Sequence, residues 1–135
     1  MSEKKILDVL IIGAGPVGLT LAIDLARRGV TCRTLEQSPI YQIGTRGRGI
    51  SLRTQQVFDD LGILEALQSY DEGMPPTRNY EQGKLINEVD MASLFPPASP
   101  PYRPFLMINQ EHIEAVLRAR LASYGKSVEL GTQLV

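Results

Sequence analysis

The 135-residue chain has one cysteine, one histidine and no apolar run long enough to cross a bilayer. Cys32 has no second thiol to meet, which excludes an internal disulfide and makes a reducing, cytoplasmic compartment the expectation. With His112 the sole imidazole and the carboxylates scattered, no zinc ligand set can be assembled. The 14 Lys and Arg nearly balance the 15 Asp and Glu, so no bulk field draws in nucleic acid or an anionic membrane. Residues 1–5 are polar and run straight into a strand pattern, which speaks against a signal peptide. No G-K-[ST] occurs in the glycine loop, so a P-loop is excluded.

What the chain does have is a patterned start, a patterned end and a proline-rich middle. Hydrophobic residues make up 43%, enough for one globular domain with a sizeable core. Seven of the nine prolines fall between Pro75 and Pro104. Residues 6–12 read as a strand buried on both faces, rich in Ile, Val and Leu. Residues 16–28 read as a helix, with Leu19, Ala22, Ile23 and Ala26 on one face, Pro16 in its first turn and Gly29 after its end. Residues 30–35 read as a second strand. Residues 51–61 are expected to be helical, on the spacing of Leu52, Gln55, Gln56 and Leu61, with Gly62 as the stop and a short helical turn following through Leu67. Residues 77–90 read as a hairpin turning near Gln82-Gly83, and 91–104 as loop. A short strand is expected at 105–108, an amphipathic helix at 111–124 with Glu114 and Arg118 as an i,i+4 pair, and another strand at 127–130. The domain expectation is one unit, 1–135, with a Pro-rich hairpin insertion over 69–104.

The stretch "IIGAGPVGLT" carries Gly13, Gly15 and Gly18 in the spacing G-x-G-x-x-G. Gly13 permits the tight turn off the strand, Gly15 lets a pyrophosphate approach the backbone, and Gly18 lets helix and strand pack closely. The phosphates then meet the free N–H groups of a helix N-terminus. Glu36 ends the second strand 18 residues after Gly18, near the spacing expected of a ribose-binding acid. A carboxylate there accepts from ribose hydroxyls and repels a 2′-phosphate, which disfavours NADP. Strand, glycine turn, helix, strand and acid together make one βαβ unit of a parallel α/β sheet.

The longer stretch "DVLIIGAGPVGLTLAIDLARRGVTCRTLE" resembles the N-terminus of the flavoprotein aromatic hydroxylases, the para-hydroxybenzoate hydroxylase-like class A monooxygenases. The matching positions are Asp8, Gly13, Gly15, Pro16, Gly18, Ala22, Leu25, Gly29 and Glu36. "GTRGRGISLRTQQVFDDLGI" is similar to the family segment with an arginine that reaches the FAD pyrophosphate; Arg48 matches it best and Arg46 is its neighbour. A guanidinium suits phosphate because it offers forked donors. "NQEHIEAVLRARL" resembles the family's Q-x-x-L-E helix start, where Gln110 matches a glutamine near the ribityl and phosphate region. The resemblance implies a partial Rossmann-like FAD-binding domain with a small β-hairpin insertion. It implies FAD as cofactor, NAD(P)H as co-substrate and hydroxylation of a small aromatic substrate, phenolic or polyketide-like. Cofactor grip falls to Gly13, Gly15, Pro16, Gly18, Glu36, Arg46, Arg48 and Gln110, with no catalytic acid or base among these residues. His112 is read as a solvated helix residue, and Cys32, where the family usually has Val, as a small buried thiol.

The family's later D-G and G-D motifs do not occur here, so the chain is expected to be an N-terminal fragment, inactive alone, that self-associates or meets a complementing chain. Two alternatives stay open: an NAD-dependent dehydrogenase fragment and a non-catalytic nucleotide-binding module. Residues 44–63 argue against the dehydrogenase, because a plain Rossmann half continues to its third strand sooner.

Overall fold

A computed structural model describes residues 6–135, so the reading of residues 1–5 lies outside the described residues. The chain divides into two compact units: Met1–Arg46 with Gln110–Val135, and Gly47–Asn109.

In the first unit, β1 (Val9–Ile12), helix α1 (Pro16–Arg27) and β2 (Cys32–Leu35) follow one another as the hydrophobic pattern requires. β1 and β2 are parallel, pairing Val9 with Cys32 through Ile12 with Leu35. Helix α4 (Gln110–Ser123) and the short strand β7 (Val128–Glu129) complete the unit, β7 adding in parallel to β2. Pro16 opens α1, and Gly29 lies just past its end at φ +74. The core is Ile11 of β1, Leu19, Ala22 and Ile23 of α1, and Ile113, Leu117 and Leu121 of α4. Asp8 ties the start of β1 to the turn after α1: its carboxylate accepts from the Thr31 N–H at 3.0 Å and hydroxyl at 2.5 Å.

The strand expected at 6–12 is shorter, and it is not covered on both faces. Ile11 is 5% exposed, but its neighbours Leu10 and Ile12 are 44% and 52% exposed. Among the described residues α1 packs on the face carrying Ile11, α4 packs on α1, and no helix covers the other face. Cys32 is only half-buried, so it is not the enclosed thiol its strand position suggested.

In the second unit, β3 (Gly49–Ser51) pairs antiparallel with β6 (Phe105–Met107). Helix α2 (Leu52–Asp60) starts at Ser51, whose hydroxyl accepts from the Thr54 N–H, and α3 (Leu64–Gln68) follows after one turn. Phe58 and Gln55 are the residues α2 buries. The Gln55 amide holds the main chain of Arg103 at both ends, accepting from its N–H at 3.0 Å and donating to its carbonyl at 2.8 Å. β4 (Thr77–Glu81) and β5 (Lys84–Val89) form the hairpin, and Gln82 and Gly83 both take positive φ (48° and 78°). Two such residues give the turn the twist that a two-residue hairpin needs. A short 3₁₀ turn, Met91–Leu94, interrupts the segment read as loop; Asp90 caps it by accepting from the Ala92 N–H. The insertion expected over 69–104 lies inside this unit, which is wider: it also holds β6, β3 paired with it, α2 packed on β3 and α3 packed on α2.

Asp71 organises the second unit. Its nearly buried carboxylate accepts from the N–H groups of Met107 (2.9 Å) and Gly73 (3.1 Å) and from the Arg103 guanidinium (2.5 Å). Burial pushes the carboxyl up, but these three donors together outweigh it and hold Asp71 below its ordinary value of 3.8. A lowered folded value means this stabilisation is complete above about 3.8 and is lost as pH falls through the folded value. Asp71→Asn is therefore expected to lose about 2 kcal/mol at neutral pH, the scale of hydrogen bonds to a charged group. Thermal melts from pH 7 to pH 2 check both points: the variant melts lower at pH 7, and its difference from wild type shrinks in acid.

Candidate functional site

The carboxyl ends of β1, β2 and β7 meet at one edge of the first unit, where open parallel sheets hold their ligands. β1 leads into the glycine turn. Gly13 sits at φ +98, a left-handed conformation that disfavours a side chain, and its N–H donates to the Leu35 carbonyl at 2.8 Å. Gly18, one turn into α1, presses on this turn: a Cβ there would lie 2.0 Å from the Gly13 carbonyl oxygen. Gly15 differs from both. Its φ of −75 suits any residue, and a Cβ would meet no atom within 4 Å. Gly15 is also the N-cap of α1, with no side chain capping the turn. Leu19 is the first residue whose N–H bonds back to the Gly15 carbonyl, so the N–H groups ahead of it have no intrahelical acceptor.

Glu36 is placed by several bonds. Its carboxylate accepts from the Ala14 N–H at 3.1 Å and the Ser38 N–H at 3.0 Å. Its main chain bonds to the Glu129 carbonyl and the Thr132 N–H, both at 2.9 Å. The Ser38 N–H, then that of Ala14, hold the Glu36 carboxyl below its ordinary value, so it is an anion throughout the neutral range. Each carboxylate oxygen keeps a lone pair for a further donor.

Two cavities flank Glu36. The larger, about 360 Å³, runs from Ala14 and Gly15 past Ser38 and Tyr41 to Arg46, Gln110 and Glu114. The smaller, about 240 Å³, is lined by Gly13, Glu36 and, beyond the end of β7, Thr132, Gln133 and Leu134. The structure thus gathers Gly13, Gly15, Glu36, Arg46 and Gln110 around one acid. Pro16 and Gly18 line neither cavity; they shape the helix start behind it. Arg46 is exposed, its guanidinium 3.4 Å from the Gln42 amide oxygen. The Gln110 N–H donates to the Thr45 hydroxyl, and the Gly44 N–H donates to Glu111, so both sides of the loop at 44–46 are tied to the start of α4.

Arg48 is in the second unit. Its guanidinium pairs with Glu72 beside a cavity of about 330 Å³ bordered by Met74, Pro75 and Met107. Ser38, Tyr41, Gln42, Glu114 and Thr132 were not marked as site residues by the sequence. Only Glu114 had a signal, as the glutamate of the Q-x-x-L-E resemblance and by its spacing from Arg118; no period or motif singles out the others. Among the described residues no group of three or more His, Cys, Asp and Glu could hold a metal ion, and no helix is long and apolar enough to cross a membrane.

A parallel βαβ with a glycine turn, an acid at the end of the second strand and cavities on both sides of it defines a dinucleotide-binding unit of the Rossmann class. The family of FAD binding domains matches residues 6–135, and the chain belongs to it. The cofactor of that family is FAD, and the NAD-dependent dehydrogenase alternative is not favoured. A flavin-dependent monooxygenase of Mycobacteroides abscessus is 42% identical over 96% of this chain and 28% of its own length. Pentachlorophenol 4-monooxygenase of Sphingobium chlorophenolicum is 35% identical over 94% of this chain and 23% of its own. Among solved structures, aklavinone-11 hydroxylase in complex with FAD and aklavinone covers the whole chain at 27% identity, with a TM-score of 0.81 and 27% of that protein matched. The chain thus spans about a quarter of the length of the relatives it matches.

Proposed function

We propose that the first unit holds the ADP portion of FAD. Within a protein of its relatives' length, it would serve a monooxygenase acting on an aromatic substrate, phenolic or polyketide-like, with NAD(P)H as co-substrate. The observation that carries this reading is Gly15. Nothing in the fold requires glycine there, since neither its φ nor its surroundings exclude a side chain. A phosphate that must come close to the main chain at a helix start does require it.

On this reading the adenosine ribose lies at Glu36, between the two cavities. The pyrophosphate enters the larger one, against Gly15 and the start of α1, with Arg46 as a counter-charge. Gln110 reaches the ribityl side, and the adenine takes the smaller cavity beside Gly13 and Thr132. Pro16 and Gly18 serve indirectly, by setting the helix start. Arg48, which the resemblance assigns to the pyrophosphate, pairs with Glu72 within the second unit. When bound, FAD supplies the redox and oxygen chemistry. The residues named here bind and orient it.

Titration of the purified chain with FAD, followed by flavin fluorescence, tests the proposal. ADP is expected to displace FAD, and ADP carrying a 2′-phosphate to compete at least about tenfold less well, because Glu36 is anionic. Glu36→Gln is expected to weaken FAD binding by about thirtyfold, roughly 2 kcal/mol, since an amide there cannot face two N–H donors and still offer an acceptor to each ribose hydroxyl. NAD binding tighter than FAD, or no displacement by ADP, would overturn the reading.

A further inference from the structure

Glu114 is a buried carboxylate, 4% exposed, on a helix whose other buried residues are apolar. A buried anion is costly unless hydrogen bonds and opposite charge compensate it. The Gln110 amide nitrogen donates to one of its oxygens at 2.8 Å. The Arg118 guanidinium approaches the other at 3.7 Å, too long for a hydrogen bond, and lies 4.0 Å above the Tyr41 ring. Tyr41 borders the larger cavity together with Gln110 and Glu114. A line of contacts therefore runs from Gln110 through Glu114 and Arg118 to Tyr41, which also lines the cavity.

The chemistry of Glu114 dictates how Gln110 is presented. A carboxylate can only accept, so the amide must turn its nitrogen inward and its carbonyl oxygen away. Without that partner the two ends of the amide are nearly equivalent in shape, and the side chain could present either one. We infer that Glu114 is a positioning residue: it fixes the Gln110 amide so that a carbonyl acceptor faces the cavity, suited to a hydroxyl of the bound ligand, while Arg118 balances its charge from the Tyr41 side. This rests on the proposed binding of FAD only for the identity of that hydroxyl. The orientation itself is a property of the ligand-free chain.

The experiment has two arms. In the first, hydrogen exchange of the Gln110 side-chain amide is followed by NMR in the chain without ligand. The amide is expected to exchange about tenfold or more slowly than an exposed glutamine, and to lose that protection in Glu114→Gln, which keeps the shape but no longer forces the orientation. An unprotected amide in the wild type, or one still protected in the variant, overturns the inference. The second arm is a double-mutant cycle on FAD affinity. Gln110→Ala and Glu114→Gln are each expected to weaken binding about tenfold, and the double variant no more than about tenfold, because one acts through the other. Fully additive losses overturn the inference. A wild-type chain that fails to bind FAD overturns the proposed function instead, and the exchange arm still decides the role of Glu114.

Discussion

Gly18→Ala is expected to lower the melting temperature of the chain by roughly 5–10 °C and to weaken FAD binding at the same time. Helix propensity alone points the other way, since alanine inside a helix is favoured over glycine by about 1 kcal/mol. The close approach decides the sign. A Cβ at position 18 would lie 2.0 Å from the Gly13 carbonyl oxygen and 3.1 Å from its carbon. Both are main-chain atoms of a turn already held at φ +98 by the bond from the Gly13 N–H to Leu35, so no side chain can swing aside. Forcing atoms into a packed site costs about 1–3 kcal/mol and occasionally more, which exceeds the propensity gain. Separating α1 from the turn would also shift Ala14, whose N–H holds the Glu36 carboxylate. Thermal unfolding by circular dichroism checks the prediction; a melting temperature raised by the substitution would contradict it.

Gly15→Val is expected to do the reverse: the chain folds with its stability changed by less than about 1 kcal/mol, yet binds FAD about a hundredfold more weakly. The φ of −75 and extended ψ at this residue suit a branched side chain and match what a residue before proline adopts. No protein atom lies within 4 Å of the new Cβ. The added methyl groups would instead occupy the space over the helix start, where the proposed pyrophosphate approaches the main chain. Parallel melts and FAD titrations separate the two glycines. Equal FAD affinity in Gly15→Val and wild type would remove the main support for pyrophosphate at this turn.

These two glycines share one motif and do different work. Their places in G-x-G-x-x-G already assign Gly15 to the ligand and Gly18 to packing. The atoms around each one give that difference its size: a Cβ at 18 meets the Gly13 carbonyl oxygen at 2.0 Å, and one at 15 meets nothing within 4 Å. The arginines at 46 and 48 are a different case. The resemblance ranks Arg48 first and Arg46 as its neighbour, whereas Arg46 borders the cavity beside Glu36 and Arg48 is paired with Glu72 in the second unit. That ion pair joins residues 24 positions apart, a distance no local pattern spans.

The parts of this protein that could be read from its residues are those governed by neighbours in the chain. The βαβ order, the helix ends at Pro16, Gly29 and Ser51, and the hairpin at Gln82-Gly83 all follow from backbone preferences and short hydrophobic periods. Glu36 was legible for the same reason, as an acid where a recognisable strand stops. Tertiary packing decided what those rules do not reach. Leu10 and Ile12 have the composition of a doubly covered strand, yet are exposed because helices cover only one face of their sheet among the described residues. Glu114 has the spacing of a solvated helix pair, yet is buried because the Gln110 amide and Arg118 converge on it beside the cavity. Periodicity shows which residues share a face. What that face meets depends on contacts between residues far apart in the chain, and those contacts form the site.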